Sequence, residues 1–70
     1  MAWIRTPLSQ SIFGFGYDRA KQTLTIKYRS DETYDYFDVP EDVFEDMKEA
    51  PSKGHFITDK VKGVYRFARV

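Results

Sequence analysis

The sequence predicts an α+β domain in which a three-stranded antiparallel β-meander, over about residues 11–18, 22–29 and 33–39, packs against two short helices. The helices are expected over about 41–50 and 57–64. Three observations carry this prediction. Apolar residues alternate with period two through the first half of the chain, short polar turns separate the alternating runs, and the period lengthens to a helical one after Val39-Pro40.

The first strand is expected in Ser11-Ile12-Phe13-Gly14-Phe15-Gly16-Tyr17-Asp18, with Phe13, Phe15 and Tyr17 on one face. Ile12 and the two glycines fall on the other face, and the glycines permit a bulge or a close approach by another element. In Gln22–Arg29 the alternation is cleaner: Leu24, Ile26 and Tyr28 oppose Thr23, Thr25 and Lys27. That is the signature of a half-buried antiparallel strand. Asp18–Lys21 suits a hairpin loop, and Ser30-Asp31-Glu32 a second polar turn. Thr33–Val39 follows with Tyr34 and Tyr36 on one side, Asp35 and Phe37 on the other.

Pro40 cannot donate to a sheet ladder but suits the first turn of a helix, and Glu41 and Asp42 favour the positive end of one. Val43, Phe44, Met47 and Ala50 then recur at helical spacing until Pro51 stops the run. Ser52-Lys53-Gly54 reads as a turn, with Thr58 or Asp59 as cap of a second helix whose apolar face is Ile57, Val61, Val64 and Tyr65. Residues 64–70 also alternate, so a further C-terminal strand is the alternative there. Residues 1–10 carry little pattern and are expected to be a loosely ordered N-terminus of a single domain spanning 1–70.

Composition sets bounds on function. Six Phe, five Tyr and one Trp in 70 residues supply large apolar surfaces, which lets a short chain build a core without staples. With no cysteine and one histidine, disulfides, thiolate zinc and multi-histidine metal sites are excluded. No apolar run is long enough for a membrane span and the start has no signal-peptide core, so a soluble, cytoplasmic chain without membrane partners is expected.

The zero net charge hides a segregation. Residues 31–50 hold nine acids against Lys48 alone, whereas residues 1–30 and 51–70 each hold five Lys or Arg against a single Asp. Among the basic residues, Lys53, His55, Lys60, Lys62 and Arg66 cluster around the expected turn and second helix, where backbone N–H groups and ammonium groups suit a phosphate. Lys27 and Arg29, beside an aromatic on the open sheet face, form a second basic patch. The acidic helix face, Glu41, Asp42, Glu45, Asp46 and Glu49, is the rival candidate, suited to docking a basic protein partner.

Catalytic chemistry finds no foothold. Ser52, Lys53 and His55 are neighbours on a turn, which gives them no reason to converge as nucleophile and base. The helix carboxylates lack the loop or histidine partners of a metal site, and Gly14-x-Gly16 lacks the rest of a phosphate-binding loop. A non-catalytic module with no cofactor, no metal and no small-molecule substrate is expected. Tyr34 and Tyr36 point the same way about 7 Å apart, a spacing that serves either base stacking or core packing. The need to cover Leu24, Ile26 and Tyr28 favours the core.

Taken in order, Phe15-Gly16-Tyr17-Asp18, the Leu24-x-Ile26 strand, Tyr34-Asp35-Tyr36, Val39-Pro40, Phe44, Ala50-x-Ser52-x-Gly54, Phe56 and Tyr65 resemble the KTSC domain over residues 10–70. The family is named from the C-terminus of some lysyl-tRNA synthetases and also occurs as small free-standing proteins of bacteria and phages. Many members carry Asn where this chain has Thr58. The resemblance implies a small domain of unassigned role, with RNA binding suggested by the synthetase context and no catalytic residues to carry over.

Overall fold

The structure, a computed structural model, describes residues 2–70. Its sheet has five strands in the order β1-β2-β3-β4-β5, every neighbouring pair antiparallel. They are β1 (Ala2–Arg5), β2 (Ile12–Asp18), β3 (Thr23–Tyr28), β4 (Thr33–Tyr36) and β5 (Phe67–Arg69). The three central strands form the expected meander. The sheet is wider than the three strands predicted, because a strand is added at each edge.

Both additions have a physical reason. Residues 2–5 are not the loose terminus expected, since Ala2 to Arg5 pair in register with Tyr17 to Gly14. The Trp3 indole packs on Gly14: a Cβ there would sit 2.9 Å from both the Ile4 carbonyl oxygen and the indole ring. At the other edge the chain turns at Gly63, whose φ of 77° favours glycine, and returns so that Phe67 pairs with Tyr36 and Arg69 with Tyr34. The alternation of residues 64–70 therefore marks a strand, and the helix expected over 57–64 ends sooner.

Gly14→Ala should cost about 1–3 kcal/mol, because the new methyl meets a backbone oxygen that can move only if β1 lifts off β2. Urea unfolding reads this as a lower midpoint. An unchanged midpoint would mean that the β1–β2 contact contributes nothing to stability.

The register slips between Ile12 and Gly14, so β2 carries a bulge at Phe13. Simple alternation puts Phe13 with Phe15 and Tyr17, but the bulge reverses this. Ile12 is buried in the core, and the half-buried Phe13 ring lies within 6 Å of the cationic groups of Arg5, Lys27 and Arg29.

Helix α1 (Glu41–Glu49) starts at Pro40 as expected and buries Phe44 and Met47. Phe44 stacks on Tyr17 with ring centroids 5.1 Å apart and meets Phe15 edge-on at 5.7 Å. The second helical unit begins earlier than the spacing predicts. Ser52, expected in a turn, caps α2 (Lys53–Phe56) by accepting the His55 backbone N–H, which displaces Thr58 and Asp59 from the capping role. The unit then widens into one π-helical turn, Ile57–Val61, closed by a 2.8 Å bond from the Lys62 N–H to the Ile57 carbonyl. Ile57 and Val61 reach the core with Val39 from this side, opposite Phe15, Tyr17, Leu24, Ile26 and Tyr36 of the sheet. Tyr36 is buried, as the covering argument requires, whereas Tyr34 is only half-buried.

Candidate nucleic-acid interface

An open groove of about 950 Å³ runs between the segment after β1 and the α1–α2 junction. One wall is the loop from Thr6 to Ser11, and its shape follows from local hydrogen bonds. The Thr6 hydroxyl donates to the Ile12 carbonyl at 2.6 Å, and the Ser9 hydroxyl accepts the Ile12 N–H at 3.0 Å. From the turn after β3, the Arg29 guanidinium donates to the carbonyls of Ser9 (2.7 Å) and Thr6 (3.0 Å). The other wall is Pro51–His55 with Thr58 and Lys62, and Tyr28 and Ile57 lie between. The two walls come together at Gly54, where a Cβ would sit 3.0 Å from the Ser11 hydroxyl. A side chain there would have to turn the Ser11 hydroxyl aside.

Five basic residues line this groove: Lys48, Lys53, His55 and Lys62, with Arg5 at its rim, its guanidinium turned to Phe13 on the sheet face it shares with Lys27. Among the described residues no carboxylate lines it. Three of the five are partly engaged. Lys48 pairs with Glu45 at 2.8 Å, His55 Nε2 lies 3.2 Å from Asp59, and Lys53 Nζ donates to the carbonyls of Ala50 (2.6 Å) and Lys48 (3.1 Å), closing the C-terminal end of α1. Arg5 and Lys62 have no carboxylate partner among the described residues. Each rests instead over an aromatic ring, Arg5 over Phe13 at 5.6 Å and Lys62 over Tyr28 at 5.8 Å.

Of the residues singled out in the sequence, Lys53, His55 and Lys62 thus converge in the groove. The others do not join them. Lys60 points away on the π turn, Arg66 sits over the Phe37 ring and pairs with Asp38 at 3.1 Å, and Lys27 lies on the open sheet face beside Phe13, 3.5 Å from Asp31. Arg29 builds the groove wall from behind rather than lining it. Two groove cations escape the sequence reading. Arg5 lies in residues 1–10, where Ala2-Trp3-Ile4-Arg5 shows no alternation to mark a strand. Lys48 is hidden by nine acidic neighbours in its segment.

On the rival face, Glu41 is bound by Arg19 at 2.7 Å and Glu45 by Lys48, which leaves Asp42, Asp46 and Glu49 exposed on α1. Among the described residues no cluster of His, Asp and Glu is arranged to hold a metal ion, and no helix is long and apolar enough to cross a membrane.

These features define a small α+β domain with a basic groove between a pinned loop and a helical hairpin. The chain belongs to the KTSC domain family, whose profile matches residues 8–65. It is 41% identical over 64 residues to a lysine–tRNA ligase of Nostoc punctiforme, a match that covers 91% of this chain and 11% of that protein. The chain therefore spans about a tenth of the length of the ligases it matches. A small protein of Tsukamurella paurometabola is 40% identical over 58 residues, covering 83% of this chain and 87% of its own. The crystal structure of a KTSC domain protein from Yersinia pestis superposes with a TM-score of 0.88 at 34% identity and 99% coverage of both chains.

Proposed function

We propose that the domain binds the phosphate backbone of a nucleic acid, RNA in the first instance, along the basic groove. The observation that carries this reading is the one-sided charge of the lining. In a chain of zero net charge, four basic residues line one concavity, with Arg5 at its rim, and no carboxylate among the described residues lines it. Arg5 and Lys62 lead, because neither must break an ion pair before meeting a phosphate. The likeness to part of lysine–tRNA ligases, which act on an RNA, supports the choice of nucleic acid. The groove acts by position and charge and takes no bond-making role.

The test is fluorescence anisotropy with a single-stranded RNA oligomer across a salt series. Binding should weaken steadily with salt, and the double variant Arg5→Glu, Lys62→Glu should bind at least about tenfold more weakly with a shallower salt slope. Both side chains are exposed, so the variant should stay folded. Absence of a complex at low ionic strength, or affinity indifferent to salt, overturns the reading.

A second reading rests on Asp42, Asp46 and Glu49, which are exposed on one helix without cationic partners among the described residues and would dock a basic protein surface. It ranks below the first because Glu41 and Glu45 are already neutralised within the domain. Lysine at 42, 46 and 49 should abolish recovery of such a partner in a pull-down, and unchanged recovery would count against it.

A further inference from the structure

A smaller concavity of about 320 Å³ lies on the helix side of the sheet near β5, lined by Tyr34, Tyr36, Lys62, Gly63 and Phe67. Lys62 lines both this slot and the basic groove, so the two are joined at one lysine. The rings continue the connection. Tyr28, which lines the groove, meets Tyr34 edge-on at 5.6 Å, and Tyr34 meets Phe67 edge-on at 5.7 Å. Phe67 is 60% exposed although it stands on the core face of the sheet, because α2 and the π turn stop short of it. Phe67 packs one side on Tyr34 and Tyr36 and leaves the rest of its ring wet at the mouth of the slot. It offers one face to a flat partner.

We infer that this slot takes one unpaired nucleobase of a single-stranded nucleic acid whose phosphates lie in the groove, an inference that rests on the groove reading above. The volume falls at the small end of ligand pockets, about 300–1,000 Å³, which suits one ring system. Phe67 supplies the stacking face, and the Tyr34 hydroxyl stands at the rim 3.5 Å from Glu32 Oε2. Lys62 meets the phosphate that leads from groove to slot. A base within a duplex has both faces covered by its neighbours and cannot enter, so the slot selects single strands. The paired tyrosines then serve in two ways: Tyr36 seals the core, and Tyr34 props the ring that stacks.

The experiment compares a single-stranded RNA oligomer with an oligomer of the same length and charge made of abasic units, each titrated by anisotropy against the wild-type chain and Phe67→Ala. The wild-type chain should bind the base-bearing oligomer about 5- to 100-fold more tightly, the range expected for one stacked base. Phe67→Ala should lose most of that ratio while binding the abasic oligomer as before. A 2-aminopurine reporter in the wild-type complex should also be quenched, a readout that needs no variant. Equal binding of the two oligomers by the wild-type chain, or a ratio that survives Phe67→Ala, overturns the slot and leaves the groove standing. Failure of both oligomers to bind overturns both.

Discussion

Replacing Phe15 by Ala should remove about a third or more of the chain's stability at 25 °C. Phe15 is fully buried, pairs across the sheet with Ile26 and Ile4, and meets the Phe44 ring edge-on. Truncating a buried phenylalanine costs about 3–5 kcal/mol, the sum of lost transfer energy and the cavity left behind. A 70-residue domain holds only about 4–10 kcal/mol in total, at ~0.05–0.15 kcal/mol per residue. The cavity would also open where sheet and α1 are joined, and α1 is too short to persist without that contact. Urea titration followed by circular dichroism should show a midpoint lowered by about a third or more, down to no transition if the total lies at the low end of that range. Phe67→Ala is the control. The same change at a site 60% exposed should cost under about 1 kcal/mol, so a comparable loss at both positions would refute the core assignment.

The parts of the fold that were legible in the sequence are those whose patterns are fixed by burial within a short stretch. Leu24, Ile26 and Tyr28 alternate because one face of β3 meets the core, and Phe44 and Met47 recur because one face of α1 does. The edge strands lack a burial signal: residues 64–70 alternate, but that pattern left a helix and a strand equally open. Phe67, Ala68 and Arg69 are all exposed, so nothing in their burial sets them apart from a loop. Strand β1 is seated where the Trp3 indole packs on Gly14, diagonal to its register partner Gly16, a contact between residues eleven positions apart. The bulge at Phe13 was misread for a related reason. Alternation assumes an unbroken ladder, and one extra residue moves a side chain to the other face.

The same division governs the site. Lys53, His55 and Lys62 were visible as a local run of basic residues beside a Ser-x-Gly turn. Their meaning depends on the far wall, which comes from Arg5 and the Thr6–Ser11 loop and is pinned by Arg29 from the turn after β3. A basic residue that builds a wall and one that lines it look alike in sequence. Only the hydrogen bonds of Arg29 to three loop carbonyls tell them apart. Segment charge misled at Lys48 because a helix sends neighbouring residues in different directions, so a net count over twenty residues describes no single surface.

Stability should fall steeply above pH 10, and the cause lies in the aromatic core. Burial raises the hydroxyl pKa values of Tyr17, Tyr28 and Tyr36 above the ordinary tyrosine value of 10.0. For Tyr28 the rise is large, caused first by burial and then by the neighbouring Tyr36 phenol. Its hydroxyl is buried, and no group among the described residues meets it in hydrogen-bond geometry. In the unfolded chain these phenols ionise near pH 10, while in the folded chain they stay protonated. The folded state therefore binds more protons, and the unfolding free energy declines as pH rises. The stabilisation is complete below pH 10 and is lost as pH climbs from there through the raised folded values. Each phenol held neutral weakens the folding equilibrium by about tenfold per pH unit in that window. Urea midpoints should be level from pH 7 to 9 and drop sharply by pH 11. Tyr28→Phe separates this cause from general alkaline damage. Removing a buried hydroxyl without a partner should leave the neutral-pH midpoint unchanged or slightly higher, and it should make the alkaline decline shallower. An alkaline slope equal to that of the wild-type chain would show that the Tyr28 phenol ionises as freely in the folded protein as in the unfolded one.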